Sequence, residues 1–156
     1  MQIRTIAAVV VAVLGLVAAP AAWAADAPAD ATKAELAKLA GTWQAVAGSR
    51  GGQAATAEEL KATQIVFDGE KMRLKDGKRD LEAVVKRLDP SKTPAEFDFI
   101  PSKDGKAEEG APTILAVYKL DGETLTIAFG KNPAARPKNL DAGETTKVLT
   151  LKKEKK

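Results

Sequence analysis

Asp-Gly pairs recur at Asp68-Gly69, Asp76-Gly77 and Asp121-Gly122, each between short runs of alternating apolar residues. This spacing constrains the chain more than any other feature. Glycine tolerates the positive φ of a tight hairpin turn, so each pair marks a place where one strand folds back on the next. The clearest case is "TILAVYKLDGETLTIAFG", with Ile114, Ala116 and Tyr118 on one face of its first arm and Leu125, Ile127 and Phe129 on its second. "QIVFDGEKMRLKDGK" is a second hairpin, "AEFDFIP" alternates about Asp98, and "TWQAVAG", "RDLEAVVKRL" and "TTKVLTLKK" complete a set of about eight strands. No long helical pattern intervenes, which argues against parallel βαβ units. Antiparallel strands with one apolar face must close or stack to hide it, and closure also removes the edges. The expected fold is therefore all-β, an antiparallel up-and-down eight-stranded barrel with a short N-terminal helix; a sandwich is the alternative.

The N-terminus has the pattern of a secretory signal. Arg4 is followed by an apolar run from Ile6 to Ala19, too short to span a bilayer comfortably, and Ala22-Trp23-Ala24 fits a small-x-small cleavage site. The expected organisation is a signal peptide at 1–24, a flexible linker at 25–32 and a β-barrel domain at 33–156. An uncleaved anchor is the alternative; after cleavage no stable membrane anchor is expected. The location implied is secreted or periplasmic. Cysteine is absent, so lipid attachment through a lipobox and stapling by disulfides are both excluded, and stability must come from burial.

Histidine is absent too. No imidazole base, His metal ligand or Ser-His or Cys-His nucleophile can be built. A formal charge of +3, from 24 basic and 21 acidic residues, gives little field for steering nucleic acid. The tail "LKKEKK" reads as a solvated end, with attraction to an anionic surface as the weaker reading. Asp68, Asp76 and Asp121 lie in turns, and Asp98, between Phe97 and Phe99, is expected to face solvent. Glu58-Glu59 and Glu108-Glu109 are adjacent acids whose side chains point apart. A calcium site from Asp104, Glu108 and Glu109 lacks EF-hand spacing. The chain is accordingly not expected to be an enzyme, and no cofactor or metal is assigned.

"KAELAKLAGTWQAVAG" places a short helix before the first strand. Thr32 and Glu35 have capping-box spacing, Leu36 and Leu39 share a face, and the helix can hardly pass Gly41. A glycine, any residue and a tryptophan at this position resemble the lipocalin and wider calycin barrels. More broadly, "LAGTW", "IVFDGEKMRLKDG", "LDPSKTP", "GAPTILAVYKLDGETLTIAFG" and the "RP" before "VLTLKK" are similar to a small exported lipocalin-like domain abundant in planctomycete-type bacteria. That family has no established activity, so the resemblance brings no catalytic residues. It implies that Trp43 is the barrel floor, with Gly41 before it and a basic residue of the last strand over its ring. Lys152 and Lys153 stand where an arginine is expected, and Lys152 is assigned to the floor motif. The alternative makes Trp43 an ordinary core residue of a sandwich.

Eight-stranded barrels either fill their interior with side chains or hold one small ligand there. If there is a cavity, its lining is Ile65, Phe67, Met72, Leu74, Phe97, Phe99, Tyr118, Leu125, Ile127 and Phe129; if not, these are the core. The first functional reading is a non-catalytic binding module for a small apolar or amphipathic ligand. The second is a cell-envelope structural or protein-interaction domain with a filled barrel, using the loops Ser49–Ala57, Ser102–Pro112 and Lys131–Glu144. A monomer is expected in either case.

Overall fold

Residues 29–155 are described by a computed structural model of the chain; the expected signal peptide lies outside them. A helix α1 (Ala29–Leu39) leads into β1 (Gly41–Arg50), a two-residue β2 (Gln53–Ala54) and a helix α2 (Ala57–Ala62). There follow β3 (Thr63–Asp68), β4 (Lys71–Asp76), β5 (Asp80–Asp89), β6 (Ala95–Lys103), a two-residue β7 (Lys106–Ala107), β8 (Ile114–Asp121), β9 (Thr124–Gly130) and β10 (Thr146–Lys153). The eight longer strands pair antiparallel in the order β1-β3-β4-β5-β6-β8-β9-β10, and β10 returns to β1, closing the barrel. The expected up-and-down barrel is the fold observed.

The turns form for the reason the Asp-Gly pairs suggest. Gly69, Gly77 and Gly122 have φ of 58°, 78° and 58°, conformations that cost a side-chain-bearing residue energy. At Gly77 a Cβ would also stand 2.8 Å from that of Ala62, so the β4–β5 turn packs directly on the end of α2. That helix is held at its start by Thr56 and Glu59, which form a reciprocal capping box.

One end of the barrel is shut by α1. Trp43 is inaccessible and its indole Nε1 donates to Leu39 O at 2.7 Å, satisfying a carbonyl that the helix end leaves free. The basic cover is Lys153, not Lys152 as expected. Lys153 lies opposite Trp43 in the β1–β10 register and shares its inward face, whereas Lys152 lies opposite Gln44 and points out. The Lys153 ammonium sits 5.4 Å from the ring centroid and donates to Lys38 O at 3.2 Å. A cation at a helix C-terminus is favourable on electrostatic grounds as well. Gly41, with φ of 119°, makes the sharp exit from helix to strand; a Cβ there would lie 3.3 Å from Lys153 Cε.

Other expectations are corrected by packing. The helix begins at Ala29, ahead of the expected domain start at Lys33, so Ala29–Thr32 are helix and not linker. Thr32 does not cap it. Its hydroxyl donates to Leu88 O and accepts from Leu88 N, fixing α1 to β5. Glu35, released from a capping role, is buried and accepts from Tyr118 Oη at 3.1 Å. Asp98 does point away from the core, as alternation requires, but it is buried all the same. The loop after β9 lays Arg136 over it, 2.7 Å from Asp98 Oδ1. Arg136 also donates to Ala116 O, while Arg87 bridges Asp89 and Glu96.

The floor geometry carries a stability expectation. Lys153→Met loses a hydrogen bond and a cation–π contact and should destabilise the protein by about 1 kcal/mol in denaturant unfolding. Lys152→Met should change stability by less than about 0.5 kcal/mol. Equal effects would contradict the register.

Candidate functional site

The interior positions named from the sequence do come together in one apolar cluster. They do not enclose a chamber at the floor end. Ile65 and Leu125 have no accessible surface, and Phe67, Met72, Phe97 and Ile127 are within 2% of none. A water-sized void beside any of them would show as accessible surface, so the interior there is packed. The rings of Phe97 and Phe99 lie 5.1 Å apart, Phe97 and Tyr118 6.3 Å, and Phe99 and Phe129 5.9 Å, the last two edge to face.

The core reaches the surface at the opposite end. The connections β1–β3, β4–β5, β6–β8 and β9–β10 all leave from that end, as up-and-down order requires. A cleft of about 590 Å³ opens there, floored by Leu74, Leu81, Phe99, Ile114 and Phe129 and rimmed by Arg50, Arg79, Lys131, Glu144 and Lys147. That volume is within the usual range for small-molecule sites. Of the residues named from the sequence, Leu74, Phe99 and Phe129 line it and the others lie deeper or elsewhere. Two of the three loops singled out, Ser49–Ala57 and Lys131–Glu144, supply its rim through Arg50, Gly51, Lys131, Pro133 and Glu144. The second loop is held close by Lys131 N–H donating to Thr145 O and by Leu115 N–H donating to Pro133 O. Gly130 is needed for this path, because a Cβ would stand 2.5 Å from Ala135 O.

Of the charged residues in the rim, Lys147 is the one that is half-buried. It lies opposite Phe129 and Arg50 in the ladders of β10 and so shares the inward face of Leu149 and Leu151. Burial first, then the charge of Arg50, holds its pKa below the ordinary value, against the opposing pull of Asp76. Arg50 reaches the same face only because β1 bulges between Ala45 and Ala47, which reverses the alternation that starts at Trp43. Sequence reasoning missed Arg50, Arg79 and Lys147. Lys147 was within reach, since it has the same parity as Leu149 and Leu151; the bulge that turns Arg50 inward has no local signature.

A larger groove of about 800 Å³ runs beside α1, lined by Glu35, Lys38, Tyr118, Leu120, Asn139, Leu140 and the turn after β5. Its central polar groups already serve one another: Glu35 takes Tyr118 on one oxygen and Lys38 on the other. Asp76 and Asp89 are engaged similarly. Asp76 Oδ1 accepts the backbone N–H groups of Lys78 and Arg79, and Ser91 holds the Asp89 carboxyl below its ordinary pKa. Among the described residues no group of three or more acids is placed to hold a metal ion. No protein-family model, curated protein or solved structure matches the chain.

Both titrating groups can be followed directly. Burial, then the Glu35 carboxylate, pushes the Tyr118 phenol well above its ordinary 10.0. The native state thus keeps a proton that the unfolded state loses, and this contribution to stability fades as pH rises past 10. Tyr118 is the single tyrosine, so ultraviolet phenolate absorbance should appear only together with alkaline unfolding. A reversible phenolate signal near pH 10 in folded protein would contradict the Glu35–Tyr118 pairing. For Lys147 the sign is opposite. Between its lowered pKa and the ordinary 10.5 the unfolded state binds more protons, so stability rises with pH there. Lys147→Met should therefore melt above the parent chain at neutral pH, with the difference shrinking as pH rises toward the ordinary lysine pKa of 10.5.

Proposed function

We propose that the chain is an exported, monomeric, non-catalytic binding module that receives a small amphipathic ligand at the barrel mouth. The observation that carries this reading is the mouth cleft itself. There Leu74, Leu81 and Ile114, partly exposed at the edge of an otherwise packed core, meet water beside a charged rim. Apolar surface left uncovered in a concave site is what a ligand's apolar part gains from burying. The deeper interior offers no such room, so the ligand lies across the mouth and does not thread the barrel. A non-catalytic role agrees with the absence of histidine and cysteine and with the engagement of Asp76, Asp89 and Asp98 in turn and ion-pair contacts. The exported location rests on the signal-like residues 1–24.

The packed interior also favours the second reading, a structural or protein-interaction domain of the cell envelope. Native mass spectrometry of the protein purified gently from its own cells separates the two. A bound small-molecule mass that disappears after organic extraction is expected. A bare polypeptide under conditions that preserve weak complexes would favour the second reading and contradict the first.

A further inference from the structure

We propose that the ligand carries an anionic head group on an apolar chain, with the head at Lys147, Arg50 and Arg79 and the chain on Leu74, Leu81 and Ile114. This rests on the mouth being the binding site. Lys147 is half-buried on the inward face, with Arg50 opposite it in the ladder and Arg79 on the same rim. Three cations converge there, and among the described residues none of them has a carboxylate within ion-pair distance.

The acids nearby make no ion pair with them and offset their charge only in part. Asp76 turns its Oδ1 to the backbone of its own hairpin, and Glu59 closes the capping box of α2. Glu144 is the acid of the rim, one carboxylate set against Arg50, Arg79, Lys131 and Lys147. Among the described residues the other half-buried cations are matched. Lys153, inward at the floor end of the same strand, has a helix carbonyl and an indole ring. Arg87 and Arg136 share Glu96 and Asp98. Among the described residues, only the mouth sets a half-buried, unpaired cation beside like charges and next to the partly exposed Leu74, Leu81 and Ile114. A half-buried, unpaired ammonium is costly, and an anion placed against it offsets that cost. The bordering surface of Leu74, Leu81 and Ile114 fixes what the anion is attached to. An inorganic ion leaves that surface wet, and an uncharged lipid leaves the cations unmatched.

Titration calorimetry of the full protein near neutral pH, with probes below their micellar concentrations, tests this. The probes are decanoate, decyl sulfate and 1-decanol. Both anions should bind about tenfold more tightly than the alcohol. Lys147→Met, checked for folding by circular dichroism, should weaken both anions about tenfold and leave 1-decanol within about twofold. Arg79→Gln, outside the strand ladders, should reproduce part of that loss, about threefold, independently of any effect of Lys147→Met on folding. Equal binding of anions and alcohol, unaffected by Lys147→Met, would overturn the head-group assignment while leaving the mouth as a binding site. Binding of none of the probes to the parent chain at millimolar concentration would overturn both.

Discussion

The hydrogen bond from the Trp43 indole to Leu39 O is the contact on which the rest of the barrel depends. It joins the end of α1 to the first strand at the point where the sheet closes, and it leaves the indole with no polar group unsatisfied in a position that has no access to water. Lys153 completes the joint from the last strand by taking the neighbouring helix carbonyl and covering the ring. First strand, last strand and helix thus meet in one small polar knot within apolar packing. The next residue repeats the device outward. Gln44 Nε2 donates to Leu60 O and Thr63 O, the carbonyls at the end of α2. Two adjacent side chains of β1, on opposite faces, therefore terminate the two helices of the fold.

From this joint follows the difference between the barrel's ends. The floor end is dry, with its inward cation, Lys153, satisfied by a carbonyl and a ring. At the mouth β1 has left β3, whose pairing with it runs only from Gly41 to Gln44, and α2 fills the seam with Leu60. The bulge after Ala45 that permits this divergence also turns Arg50 inward. One backbone irregularity thus accounts both for the opening of the barrel and for part of its charge. The loop carrying Arg136 does separate work, covering the outer face of β8, β9 and β10, where Leu140 packs on Val117, Ala128 and Val148.

Much of this was legible in the sequence because it is local. The Asp-Gly turns, the period-two faces of β8 and β9 and the position of Trp43 ahead of the first strand all follow from neighbouring residues. What was misread depends on partners far along the chain. Choosing Lys153 over Lys152 requires the β1–β10 register. Asp98 was placed on the correct face, but its burial comes from Arg136 in a distant loop. Glu35 had the spacing of a capping residue, and only the approach of Tyr118 draws it inward. The mouth cations were hidden for the same reason, since strand parity past a bulge cannot be counted along the sequence.

NMR mapping of the folded protein with added decanoate distinguishes a ligand held at the mouth, over a packed floor, from one that enters the barrel. Shifts confined to Leu74, Phe99, Phe129, Ile114 and Lys147, with the Trp43 indole and the Leu125 and Ile127 methyls unmoved, are the expected result. Movement of the Trp43 indole and the Leu125 methyls at the same ligand concentration would show that the ligand enters the interior and would contradict the account.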